Sequence, residues 1–199
     1  MRWDNLFDDL EGQLEYERDA EDSNLRAEEE RLRLGRLALR GRLVSIVADD
    51  AVGVVRLVLV SGDRLTLRPD AFGRDWLAAD LLAGAAPGAQ CVVPLGAIAG
   101  VLLQPGQVEG SLALEAESSA RLSDRIGLPF VLRDLCRRRT SVEVQTPTER
   151  LYGTIDRVGR DHLDLAVHEP GSVRRAAEVH EVRIVPLAHI VLVRLGRQV

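Results

Sequence analysis

At 199 residues, 46% hydrophobic and 29% charged, the chain has the make-up of one or two folded domains, and no stretch is apolar for long enough to span a membrane as a helix. Cys91 and Cys136 are too few and too far apart for a disulfide framework or a metal site. The net charge of −5 hides an asymmetry: residues 1–30 hold 12 acids against 3 arginines, so an arm at −9 precedes a body at +4. Met1-Arg2-Trp3-Asp4-Asn5 turns acidic at once, unlike a secretory leader, and the cytoplasm is the expected compartment. All 26 basic residues are Arg, as codon bias in a GC-rich bacterial genome would produce.

Residues 4–40 read as helix. Asp4 is a candidate N-cap, and Leu6, Phe7, Leu10 and Leu14 form a stripe at helical spacing. Together with Trp3 they resemble the apolar face of a helix that docks in a partner's groove. Asp22-Ser23-Asn24 is a candidate break, after which Leu25, Leu32, Leu34, Leu37 and Leu39 resume the stripe.

From Val54 the period changes to two. Strands are expected at Val55–Val60, Arg64–Arg68, Trp76–Leu82, Cys91–Val93 and Ile98–Leu103. Residues 118–140 form a linker entering a helix, with Leu128-Pro129 at its start and Phe130, Val131, Leu132 and Leu135 as its apolar face. Five further strands are expected at Ser141–Gln145, Arg150–Arg157, His162–Val167, Val182–Val185 and Ile190–Leu195.

The two strand sets share words. Gly73-Arg74-Asp75-Trp76-Leu77 returns 86 residues later as Gly159-Arg160-Asp161-His162-Leu163. Val93-Pro94-Leu95 with Ile98 returns as Val185-Pro186-Leu187 with Ile190. Matched words in one order imply a duplicated module. The glycines are expected to relieve a bend, the prolines to end a fourth strand, and Asp75 and Asp161 to bond the local backbone of a turn. Five bent strands in so short a span favour closure into a small barrel, which leaves no free edge.

A short helix followed by five strands, with Gly153 inside the second strand of the second copy, resembles the Sm/LSm/Hfq group of small barrels. The resemblance implies a mainly β fold with helices: two tandem five-stranded Sm-like barrels, each preceded by a helix, behind an acidic helical arm. The expected divisions are 1–43 for the arm, 44–110 for the first barrel, 111–140 for the linker and helix, and 141–199 for the second barrel. It also implies association with RNA and self-association through barrel edges. The family's uracil-gripping Asp and Asn fall on Gly159 and Leu163 here, and the Lys-His pair of Hfq falls on Leu187 and Ala188. The family's RNA contacts therefore do not carry over residue by residue.

The chemistry of the chain points away from an enzyme. His162, His168, His180 and His189 lack metal-ligand spacing, and no phosphate loop or nucleophile elbow is present. No cofactor is expected. Residues 131–199 carry 12 Arg against 9 acids, whereas 44–104 carry 4 against 6. The basic second copy makes Arg137, Arg138, Arg139, Arg160, Arg174 and Arg175 the candidate contacts to RNA or DNA phosphates. The competing reading is an adaptor that docks through residues 4–40 onto a larger transcription or RNA-processing machine.

Overall fold

The computed structural model describes residues 4–49, 53–83, 88–113, 122–171 and 174–196. The chain divides into two compact units, Met1–Ala38 and Leu39–Val199. The first is the helix α1 (Asp4–Arg36). Asp22-Ser23-Asn24 does not interrupt it, because the flanking Glu, Ala, Leu and Arg are strong helix formers. Arg33 clasps Glu30 one turn back at 2.6 Å, and Arg33 and Arg36 place positive charge in the last turn, where the helix dipole favours it. Trp3 lies outside the described residues, as do the side chains of Leu6, Phe7, Leu10 and Leu14.

The sequence runs the arm through residue 43, but a second helix, α2 (Leu39–Asp49), already belongs to the body. Leu43 and Ile46, one turn apart, are buried in the core of the first strand set. α2 also packs on the short helix α3 (Gln107–Ser111), where the Arg42 guanidinium donates to Ser111 Oγ at 2.8 Å.

Ten strands follow the expected pattern: β1 (Val55–Leu59), β2 (Arg64–Phe72), β3 (Trp76–Leu81), β4 (Gln90–Pro94), β5 (Ile98–Val101), β6 (Ser141–Gln145), β7 (Arg150–Val158), β8 (His162–Val167), β9 (Glu181–Pro186) and β10 (Leu192–Leu195). All pairs are antiparallel, in the order β5-β1-β2-β3-β4-β10-β6-β7-β8-β9. Each half thus repeats one order, its first strand between its second and fifth. The sequence expects each half to close on itself. The hydrogen bonding instead forms one open sheet, because the outer edge of β4 is taken by β10 of the other half, with Val193 opposite Val92 and Arg194 opposite Cys91.

The duplication extends to irregularities. The second strand of each half is nine residues long and carries a bulge at the same place, between Pro69 and Ala71 in β2 and between Ile155 and Arg157 in β7. A bulge raises local twist and bends the strand. The Gly73 N–H donates to the Trp76 carbonyl at 2.9 Å and the Gly159 N–H to the His162 carbonyl at 2.8 Å. Leu95 N–H to Asp75 O and Leu187 N–H to Asp161 O are likewise matched. The glycines serve close approach rather than bending. A Cβ on Gly73 would lie 2.1 Å from the Trp76 ring, and one on Gly159 2.6 Å from the His162 ring. Gly153 admits the neighbouring strand, since a Cβ there would meet the Ala166 carbonyl oxygen at 2.2 Å.

Two hydrophobic cores result. The first holds Leu43, Ile46, Leu57, Leu67, Leu77 and Val93. The second holds Leu132, Val144, Ile155, Leu163, Leu165 and Val193, and it takes in Trp76 and Val92 from the first half. The helix before β6 is α4 (Leu128–Arg137), which lies against β7. Leu128, Leu132 and Leu135 form its buried face. Phe130, expected on that face, is 61% exposed, because two residues of helix rotate it about 200° from Leu132.

Asp75 departs from its expected local role. Its side-chain Oδ1 accepts from the Leu128 N–H at 2.7 Å, satisfying an unpaired donor at the start of α4 from 53 residues away. Gly127 in the cap position has no side chain to do so. Asp75→Ala is expected to cost about 1 kcal/mol of stability, in the range of lost helix caps, measured by urea unfolding. The matched Asp161→Ala, whose carboxylate meets the exposed His162 ring at 2.8 Å, should cost less.

Candidate nucleic-acid interface

α4 turns back into β6 through Arg138, Arg139 and Thr140, with Arg139 in the left-handed region at φ 55°. That turn and the β7 bulge bring four candidate arginines around two carboxylates. Arg137 Nη2 and Arg138 Nε each lie 2.6 Å from an oxygen of Asp134. Arg139 Nη1 donates to Asp156 Oδ1 at 3.0 Å. Arg174 grips the same carboxylate with both prongs, Nε to Oδ1 at 2.7 Å and Nη2 to Oδ2 at 2.6 Å. Asp156 is the extra residue of the bulge, and its carbonyl accepts from the Cys136 thiol at 3.3 Å, tying β7 to α4. Arg133, one turn before Arg137, reaches the Gly159 carbonyl at 3.4 Å. Arg160 follows Gly159 and is exposed, as is Arg175; neither forms an ion pair among the described residues.

Each aspartate therefore serves two guanidiniums, and positive charge stays in excess along α4 and the loop holding Arg174. Hydrogen bonds from Arg174 hold the Asp156 carboxyl below its ordinary pKa, with Arg139 adding to the effect. Arg137 does the same for Asp134. For a carboxylate with a lowered pKa, the stabilisation is present above the ordinary carboxylate range and is lost as pH falls through and below it. The stability difference between wild type and Asp156→Asn is expected to be constant near neutrality and to shrink as pH falls through the ordinary carboxylate range and below it. Chemical denaturation at stepped pH measures it.

Phe130 is the residue the expected apolar face misplaces. Phe130, Arg133 and Arg137 follow one another at i, i+3 and i+7, so they share the face of α4 opposite Leu128, Leu132 and Leu135. An exposed aromatic ring flanked by guanidiniums offers a π-face for a base between donors for its phosphates. The signal was in the spacing: Leu128 and Leu132 fix the helix phase, which turns Phe130 outward.

No family model, curated protein or solved structure matches the chain.

His168 is buried, sharing a 2.9 Å hydrogen bond with Thr154 Oγ1 and meeting Tyr152 edge-on. Cys91 is buried, and burial pushes its thiol up to about 12, leaving it protonated and inert at neutral pH. His180 lies 3.8 Å from Glu169, and His189 is exposed. No group of three or more His, Cys, Asp or Glu is placed to hold a metal ion among the described residues.

Proposed function

We propose that the chain is a non-enzymatic, Sm-like nucleic-acid-associated protein that holds single-stranded RNA along α4 of its second half. The observation that carries this reading is the exposed Phe130 aligned with Arg133 and Arg137, beside Arg138, Arg139 and Arg174. Guanidiniums prefer forked contacts to phosphate oxygens, and a stacked base tolerates any sequence. Asp134 and Asp156 keep the arginines ordered before binding, which lowers the entropic cost of contact. The repeated strand order, the helix before each half and the bulged long second strand favour two Sm-like small barrels in tandem, each curled about its own core. Arg160 and Arg175 extend the phosphate track. The cytoplasm is the compartment such a role calls for.

The test is fluorescence anisotropy with mixed-sequence single-stranded RNA. Binding at low salt with a negative slope of log affinity against log salt supports the reading. No binding at low salt to RNA or DNA pools removes it.

A second reading, an adaptor docking through its N-terminal arm, is favoured by α1. Leu25, Leu32 and Leu34 are all exposed on the helix that also carries the Leu6, Phe7, Leu10 and Leu14 stripe. A pull-down in which Leu6→Asp with Leu10→Asp retains every partner would count against it.

A further inference from the structure

We propose that the turn holding Gly159, Arg160, Asp161 and His162 docks a helix-opening segment of a partner protein. The first half shows the plan, because there the matching turn is filled by the chain's own segment ahead of α4. The Arg74 N–H and the Trp76 Nε1–H both donate to the Ile126 carbonyl at 2.9 Å. The Asp75 carboxylate accepts the Leu128 N–H at 2.7 Å. Arg40 of α2 donates through Nε to the Gly73 carbonyl at 2.8 Å and through Nη2 to Asp124 at 2.6 Å. An acid, a carbonyl and a helix-opening N–H are thus gripped at 124, 126 and 128 of one short segment.

The second half repeats the receiving side without the guest. Arg160 stands for Arg74, and its N–H has no partner among the described residues. Asp161 stands for Asp75, with its side chain 85% exposed against 46%. His162 stands for Trp76 and lies over its glycine in the same way. A Cβ on Gly73 would meet Trp76 Nε1 at 2.1 Å, and one on Gly159 would meet His162 Nε2 at 2.9 Å. Arg133 of α4 takes the place of Arg40, reaching the Gly159 carbonyl through Nη2 at 3.4 Å. The rest of its guanidinium has no partner among the described residues. The indole is buried and the imidazole is exposed.

The chemistry of the occupant follows from the filled copy. It begins a helix, whose first N–H groups have no partner within the helix and suit the Asp161 carboxylate. Two residues earlier it shows a carbonyl to the Arg160 N–H, and two before that an acid to Arg133. A helix start satisfies Asp161 as well as the two arginines, which a phosphate, of like charge to Asp161, does not. The exchange of Trp for His sets the strength. His162 Nδ1 shares a 2.8 Å bond with Asp161 Oδ1. A carboxylate accepts, so in the neutral ring Nδ1 carries the proton and Nε2 has none to donate, whereas an indole always donates. The second turn is therefore a weaker version of the first, suited to a partner that comes and goes. The inference stands on the repeat and does not depend on the nucleic-acid reading.

The probe is a labelled synthetic peptide of residues 122–132, titrated with the full chain in fluorescence anisotropy, with circular dichroism confirming that each variant folds. Wild type is expected to bind it. Asp161→Ala should weaken binding by about tenfold or more, and His162→Trp should tighten it by about fivefold or more. A peptide carrying Leu128→Pro lacks the N–H that Asp161 receives. It should bind wild type as weakly as the parent peptide binds Asp161→Ala, and gain nothing from His162→Trp. Asp75→Ala, in the turn already filled, should not weaken binding of the parent peptide. No binding by wild type up to millimolar peptide, equal binding by wild type and Asp161→Ala, or no gain in His162→Trp would overturn the proposal. An Asp161→Ala that alters affinity for single-stranded RNA but not for the peptide would give the turn to nucleic acid and overturn it equally.

Discussion

On the proposed reading, reversing the charge of Arg137, Arg138 and Arg139 together, as Arg→Glu, is expected to lower affinity for single-stranded RNA by about a hundredfold or more at low salt, since three phosphate contacts would be lost and three repulsions gained. Because each neutralised phosphate releases bound counterions, the magnitude of the salt slope should fall by about 2, at roughly 0.7 per contact on a single strand. The folded state should survive, since all three side chains are mostly exposed and Asp156 keeps its two-pronged bond to Arg174. The control makes the same change of net charge in the first half, at the exposed Arg56, Arg64 and Arg68. If binding follows the α4 patch, that control moves affinity only through long-range charge, by a few fold. Phe130→Ala in the same assay should cost about 1–3 kcal/mol of binding without altering the salt slope, because stacking releases no ions. Equal losses from both triple variants would assign the binding to net charge rather than to this patch.

Trp76→Ala costs about 3–5 kcal/mol of stability, the range for removing a large buried aromatic. The ring is only 7% exposed and belongs to the core of the second half, although β3 lies in the first. It also covers Gly73, and its Nε1–H donates to the Ile126 carbonyl at 2.9 Å, just before α4. One truncation therefore empties part of the second core and loosens the entry to α4. Hydrogen exchange should show protection lost in α4 and β8 as well as in β3. The matched residue is His162, which sits over Gly159 in the same way but is exposed and pairs only with Asp161 among the described residues. His162→Ala should change stability by less than about 0.5 kcal/mol, as surface substitutions do. Equal costs for the two changes would mean that Trp76 does not join the halves. Urea unfolding monitored by circular dichroism reads both.

The strands and the repeat were legible because they rest on local pattern. Alternating Leu57, Leu59, Leu65 and Leu67 write the buried face directly, and the Gly73 and Gly159 words mark matching turns. The partnership of β4 with β10 was not legible. It joins Val92 to Val193, about 100 residues apart, and nothing in the alternation of either strand says which edge it will meet. That pairing is why the halves share one sheet. A helix before the first strand set was expected, but its position at α2 was not legible, because Leu43-Val44-Ser45-Ile46-Val47 is rich in β-branched residues; packing against α3 and the first core overrides that preference. The arginine candidates were legible from charge alone, but their arrangement was not. Asp156 gathers Arg139 and Arg174 only because the β7 bulge gives it no cross-strand partner, a feature of register rather than composition. Phe130 was misplaced by treating consecutive apolar residues as one face.

Photo-crosslinking of the full chain to single-stranded RNA carrying a photoreactive base, with the modified peptides read by mass spectrometry, locates any bound RNA on the chain. Adducts are expected to concentrate in peptides spanning 128–139 and 157–175, with Phe130 among the modified residues, and to be lost in Phe130→Ala. Adducts confined to the first half or the N-terminal arm, or absent under conditions that saturate a control RNA-binding protein, would contradict the proposed function.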